Sequence, residues 1–270
     1  MNSVLMAPNG PDGETFVEMQ HVFVARGEVT VLHDVSLRVG AQEHLAILGP
    51  NGCGKSTLLQ TITCQRYPIQ REGSRLRIFG RERWDTGELR KHLGIVSAGF
   101  PGEQTPRTSG RDAVLSGFFS SSTLWPHQHV TPEMAGRAEE ILSRLEALHL
   151  RDKPLREMSS GESRRIMIGR ALVHAPQVLL LDEPSNGLDL AAQAELRRTL
   201  RRLAGQGVGI LLITHHLADI LPEMDRVVLM GSGRILADGP KRDMLTRERL
   251  SALFQTDVEV AERDGFCHAW

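Results

Sequence analysis

Cysteine is scarce: Cys53, Cys64 and Cys267 stand far apart in 270 residues, with no C-x-x-C pair among them. That excludes a disulfide framework, argues against a structural zinc site and fits a reducing cytosol. Long apolar runs are also missing. The best, Val178–Leu181 and Val208–Ile213, are too short to span a bilayer. Charge of one sign is absent too. The 32 Lys and Arg residues face 33 Asp and Glu residues, for a formal net charge of −1. The chain as a whole therefore carries no strong field towards nucleic acid or anionic lipid. The opening MNSVLMAPNGPDGETF lacks a basic n-region and an apolar h-region, so no secretory signal is expected, and its Pro8, Gly10, Pro11 and Gly13 suggest a loose tail over residues 1–14. There is no internal repeat and no low-complexity segment.

What is present is ordered alternation. Residues 17–24, 29–32 and 35–39 alternate apolar and polar with Gly27 and Gly40 as punctuation, which predicts short antiparallel strands. A further strand pair is expected at 75–79 and 93–96. From Thr131 to Leu150 the spacing of Ala138, Ile141, Leu142, Leu145 and Leu148 is helical, with Pro132 suited to the first turn. Helices are expected at 160–174, 190–204 and 217–224, separated by buried strands at 178–181 and 208–214. Strands alternating with helices imply a parallel sheet. Val258–Val260 and Phe266–Trp270 flank Asp264-Gly265, the pattern of a terminal hairpin.

Residues 49–57 read GPNGCGKST, between the apolar run 45–48 and the helical 58–62. The pattern G-x-x-x-x-G-K-[ST], with a strand before it and a helix after, is a phosphate loop. Gly49, Pro50, Asn51, Gly52, Cys53, Gly54, Lys55, Ser56 and Thr57 would wrap a polyphosphate. Lys55 supplies a point charge at the terminal phosphates, and the Ser56 hydroxyl suits Mg²⁺. Downstream, Val178-Leu-Leu-Leu ends in Asp182-Glu183, where one carboxylate can hold the Mg²⁺ shell and the next can orient or deprotonate a water. His215 follows the strand at 208–214, at a carboxyl strand end where α/β sheets bind ligands. Met158-Ser-Ser-Gly-Glu-Ser-Arg-Arg165 opens a helix with Arg164 and Arg165 in its first turns, and such a helix start attracts anions. The other reading of this turn is N-capping by Ser159 or Ser160.

The order GPNGCGKST, MSSGESRR, VLLLDEP, SNGLD, THH resembles the ATP-binding cassette family over roughly residues 15 to 240. The resemblance implies an α/β P-loop NTPase fold with a RecA-like parallel-sheet core, an N-terminal antiparallel β-subdomain and a helical subdomain inserted at about 98–158. It leaves residues 241–270 as a C-terminal extension with a hairpin. It also implies a mechanism: hydrolysis of ATP, with Mg²⁺, by a homodimer or paired cassettes arranged head to tail. Each ATP then lies between one copy's Lys55 loop and the signature turn Ser159, Ser160, Gly161 and Glu162 of the other. Glu183 and His215 would act on the attacking water, Asp182 and Ser56 on the metal, and Asp189 across the interface. Integral-membrane permease subunits are the implied partners, at the cytoplasmic face of the cell membrane; no direct nucleic-acid contact is expected.

Four positions depart from the family pattern. Ser160 and Glu162 stand where the signature has glycine and glutamine. Arg26 occupies the place of the aromatic residue that stacks on adenine, and a guanidinium can stack likewise. Ala98 stands at the glutamine of the Q-loop strand, with Gln104 too far along to replace it. Residues 96–98 and the serine-rich 115–122 resemble bacterial molybdate-type and other metal-uptake cassettes. The altered Q-loop position keeps open a non-transport cassette of the repair, assembly or translation type. A nucleotide sensor without turnover fits less well with Glu183 and His215 both in place.

Overall fold

The computed structural model describes residues 15–97 and 108–270. The expected N-terminal tail, Ala98 and Gln104 lie outside the described residues. In chain order come strands β1 (Thr15–Arg26), β2 (Val29–Gly40) and β3 (His44–Leu48), helix α1 (Lys55–Ile62) and strand β4 (Arg75–Ile78). Helix α2 (Thr86–His92), strand β5 (Leu93–Val96) and helices α3 (Gly110–Ser116), α4 (Pro132–Arg144) and α5 (Ser160–Ala171) follow. Then come β6 (Val178–Asp182), α6 (Leu190–Ala204), β7 (Gly209–Thr214), β8 (Arg226–Gly231) and β9 (Arg234–Pro240). The chain continues through α7 (Lys241–Met244), α8 (Arg247–Phe254), β10 (Val260–Arg263) and β11 (Phe266–Ala269). The described residues form two compact units, 15–86 with 209–270, and Gly87–Val208.

In the first unit β1 pairs antiparallel with both β2 and β4. The three short strands expected from the alternation are two long ones. His21 and Asp34 adopt left-handed backbone (φ 48 and 56) at register shifts, and the His21 Nδ1 to Asp34 Oδ1 contact of 2.8 Å bridges them. The pattern breaks there without the strand ending, as a bulge permits. β3 runs parallel to β7 and to β8, and β8 turns back antiparallel into β9. All four residues of β3 after its first, and all six of β7, are buried, as a parallel strand covered on both faces requires. At the β8–β9 turn Gly233 (φ 72) has no room for a Cβ, which would lie 1.9 Å from the Val31 carbonyl oxygen. Its N–H donates to Cys53 O and its carbonyl accepts from His33 N, both at 2.8 Å. β10 and β11 form a hairpin whose central Asp264 and Gly265 both have positive φ (54 and 79), the primed-turn geometry that Asp-Gly favours.

In the second unit β5 and β6 are parallel neighbours. The expected pairing of the strands at 75–79 and 93–96 with each other is therefore incorrect. β4 presents Arg75 and Arg77 outward and Leu76 and Ile78 inward, so it suits the half-exposed antiparallel sheet. β5 is nearly all buried, and a Cβ on Gly94 would lie 2.7 Å from Ala171 O, so α5 packs directly against its backbone. α4 starts at a Thr131 cap with Pro132 in its first turn and buries Ala138, Ile141 and Leu142. It stops at Arg144, before Glu146 (φ 54), earlier than the apolar spacing suggests. The helix expected at 217–224 is a single 3-10 turn, Leu217–Asp219, because Pro222 disfavours helical backbone before it and Ile220 is already extended (ψ 113). Among the described residues no helix is long and apolar enough to cross a membrane.

Candidate functional site

The phosphate loop leaves β3 at Gly49, where an added Cβ would lie 2.2 Å from the Met230 carbonyl oxygen, so only glycine lets the loop lie against β8. Gly54, at φ 108, caps α1 without a side-chain hydrogen bond, and no acidic residue stands in the first turn. The opening N–H groups of α1 are thus not taken up by a side-chain cap, and the helix dipole adds to their pull on an anion. Lys55 is 4% exposed, and its Nζ donates to Gly49 O at 2.8 Å and Pro50 O at 3.0 Å. The ammonium is held across the base of the loop by the loop's own carbonyls. Asn51, Gly52 and Ser56 are exposed; Cys53 and Thr57 are buried. Cys53 therefore packs the loop onto the β8–β9 turn.

His215 belongs to the same unit. Leu48 and Thr214 are register partners, and Gly49 N donates to Thr214 O at 3.3 Å, so the histidine begins where the loop begins. Thr214 is wholly buried; its Oγ1 donates to Asp219 Oδ2 and accepts from His216 N, each at 3.0 Å. This bracket fixes the backbone on both sides of His215, whose ring lies 3.8 Å from that of His216. His215 is half-buried and His216 exposed. Arg26 is exposed at the β1–β2 turn, paired with Val29 across Gly27 (φ 62), and Arg66 Nη1 anchors the adjoining Ala25 O at 3.1 Å.

The second unit carries the remaining candidates. β6 is buried through Leu181 and delivers Asp182 half-buried at its carboxyl end. Glu183 has left-handed backbone (φ 46), which for a non-glycine residue is strained. Its Oε2 accepts from Asn186 Nδ2 at 2.5 Å, and its carbonyl from Asn186 N at 3.2 Å. Asp189 caps α6, its Oδ1 accepting from Ala192 N at 2.8 Å. At the start of α5 Ser159 Oγ accepts from Glu162 N at 3.2 Å while Glu162 Oε2 accepts from Ser159 N at 2.7 Å, a reciprocal capping box. Ser159 and Ser160 are exposed. Gly161 packs on α6: a Cβ there would lie 2.8 Å from Ala192 Cβ. Arg164 and Arg165 do not serve the helix start. Arg164 is buried and donates to Ser97 O at 3.0 Å; Arg165 donates to Glu146 O and pairs with Glu195. Sequence reading missed Lys153, whose Nζ donates to both carboxylate oxygens of Glu162 (2.9 and 2.8 Å), and Asn186, inside a stretch read only for its aspartate.

A phosphate loop between a parallel strand and a helix with no side-chain cap, with a carboxylate pair ending another strand, defines a P-loop nucleoside triphosphatase. The family model described as ABC transporter matches residues 32–186, and the chain belongs to the ATP-binding cassette (ABC) transporter family as an ATP-hydrolysing, ATP-binding subunit. An uncharacterized ABC transporter ATP-binding protein of Bacillus subtilis (strain 168), YlmA, is 32% identical over 249 residues, covering 90% of this chain and 92% of that protein. The hemin import ATP-binding protein HmuV of Bradyrhizobium diazoefficiens is 32% identical over 267 residues, covering 92% of each. Among solved structures, cbiO1 from Clostridium perfringens, part of the ABC transporter complex cbiONQ, superposes with a TM-score of 0.74 at 26% identity. That match covers 88% of this chain and 95% of that one.

Proposed function

We propose that this subunit energises solute import through separate integral-membrane subunits, working at the cytoplasmic face of the membrane as a head-to-tail pair with two interfacial ATP sites. Residues 15–240 form the cassette and 241–270 its extension in this reading. The observation that carries it is the Lys55 ammonium, held on Gly49 O and Pro50 O beneath a helix start with no side-chain cap. An incoming triphosphate exchanges those carbonyls for its own oxygens. The import direction rests on the likeness to a hemin import protein, and the membrane partners on the likeness to a cassette that is part of a transporter complex.

The roles follow from chemistry. Residues 49–57 wrap the phosphates, and Arg26 stacks on the base. Ser56 is exposed at the helix start and Asp182 ends its strand half-buried; both offer the hard oxygens that Mg²⁺ prefers, so the residues fit the ion. Held by these oxygens, Mg²⁺ would offset negative charge on the triphosphate. Glu183 orients the water and takes its proton as the oxygen bonds to the γ-phosphorus and the bond to ADP breaks. His215 donates to the γ-phosphate, and the partner copy's Ser159–Glu162 turn closes over it, with Asp189 at the same interface.

Glu183→Gln tests this reading. The variant should bind ATP, hydrolyse it at least about a hundredfold more slowly and elute as a dimer on size exclusion with ATP. Wild-type turnover in that variant would remove Glu183 from its role. Purification from membranes should bring integral-membrane subunits along; a cassette that consistently purifies without them is not a transport subunit.

A further inference from the structure

The start of α5 contains a contradiction in charge. A helix start that is to receive a triphosphate should be free of anions, because a carboxylate there competes for the same N–H groups and repels the ligand. Glu162 is such a carboxylate: it is the third residue of α5, and its Oε2 occupies the Ser159 N–H at 2.7 Å.

Lys153 resolves the conflict. Its Nζ donates to Glu162 Oε1 at 2.9 Å and Oε2 at 2.8 Å, a bidentate contact between two side chains that are 34% and 24% exposed. The lysine is not a loose surface cation that happens to reach. Its carbonyl accepts from Gly110 N at 3.1 Å and its N–H donates to Leu150 O at 3.2 Å. Gly110 itself has no space for a side chain, since a Cβ would lie 2.3 Å from Leu150 O. The main chain around Lys153 is therefore pinned to the start of α3. Ser159 Oγ accepts from Glu162 N, which leaves the hydroxyl proton available to donate, and Ser160 and Ser159 are exposed. The turn thus presents hydroxyl donors outward while its one carboxylate is turned towards a fixed ammonium.

We infer that Lys153 is a positioning residue for nucleotide capture: its ammonium neutralises and anchors Glu162, so that the Ser159–Glu162 turn can receive the triphosphate held by a second copy. This rests on the paired-cassette reading above. The nearest alternative is that the pair only braces the helix. The two differ in what happens when both charges are removed together.

The experiment uses the full chain, with Glu183→Gln added for the dimer measurements. Lys153→Gln should lower steady-state ATPase and weaken ATP-driven dimerisation by about tenfold, while ATP affinity of the single chain, which depends on the Lys55 loop, is unchanged. Lys153→Arg should stay within about twofold of wild type. Lys153→Gln with Glu162→Gln, which removes the unneutralised charge, should recover most of the loss. A Lys153→Gln variant that dimerises and turns over like wild type overturns the inference. So does a double variant no better than Lys153→Gln, or one whose activity merely follows its melting temperature. If the Glu183→Gln parent fails to dimerise with ATP, the paired-cassette reading itself is wrong and the role of Lys153 falls with it.

Discussion

The side-chain amide of Asn186 donates to Glu183 Oε2 at 2.5 Å, across a turn in which Glu183 has φ 46. The residue proposed to act on water is therefore oriented by a neighbour three positions on, in a backbone conformation that costs free energy to hold. Strain of this kind persists where surrounding structure fixes it, and the Pro184-Ser185 turn, buried at both residues, does so here. Asn186→Ala should leave ATP binding intact and lower turnover by about tenfold, the worth of one hydrogen bond to a charged group. Phosphate-release kinetics beside a nucleotide titration check this. Equal loss in both would place Asn186 in binding instead.

Lys55→Ala removes the cation that bridges Gly49 O and Pro50 O. ATP affinity should fall by roughly a hundredfold or more, since several charge-assisted hydrogen bonds are lost together. Calorimetric titration is the direct measurement, and retained affinity would refute the loop's assignment.

Gly49→Ala tests the packing of the loop rather than its chemistry. The new Cβ would lie 2.2 Å from the backbone oxygen of Met230, which cannot swing aside as a side chain can. Stability should drop by about 1–3 kcal/mol in urea unfolding, with ATP binding lost as well. An unchanged midpoint would mean that β8 and the loop separate easily.

The hydrogen bonds from Lys153 hold the Glu162 carboxyl below its ordinary value of 4.5, against the opposing effect of burial, and the Ser159 N–H adds to the lowering. The ionised carboxylate therefore favours the folded state. That contribution is complete above the ordinary value and disappears as pH falls through the lowered one. The stability difference between wild type and Glu162→Gln should be constant near neutrality and shrink on acidification below about pH 4.5. Chemical denaturation at a series of pH values measures it, and a difference that stays flat into acid would contradict the ion pair.

The phosphate loop was legible because its residues are contiguous and its flanks, buried strand and helix, are encoded beside it. Asp182, Glu183 and His215 were legible for the same reason: each ends or directly follows a run of apolar residues that can only be a buried strand. Lys153 was not, since a lysine before a proline carries no periodic signal and its partner lies nine residues away across a turn. Asn186 was hidden in a stretch whose aspartate drew the attention. The separate partners of β4 and β5 were beyond local pattern altogether, because pairing depends on which sheet each strand's faces can satisfy. Arg164 and Arg165 misled in the opposite sense. Adjacent cations at a helix start suggest an anion site, yet helical geometry turns them to different faces, one into the core and one towards Glu195.

Gly233 donates to Cys53 O in the phosphate loop and accepts from His33 N in β2, both at 2.8 Å. One residue thus serves as the common footing of the loop proposed to cradle phosphate and of the hairpin strand that returns from Arg26. The span between those two places is gauged by backbone, not by side chains that can repack. A side chain forced in at 233 would push on the Val31 carbonyl and slacken both attachments at once. The unit would then lose the set distance between the two places before it lost any residue proposed to touch nucleotide.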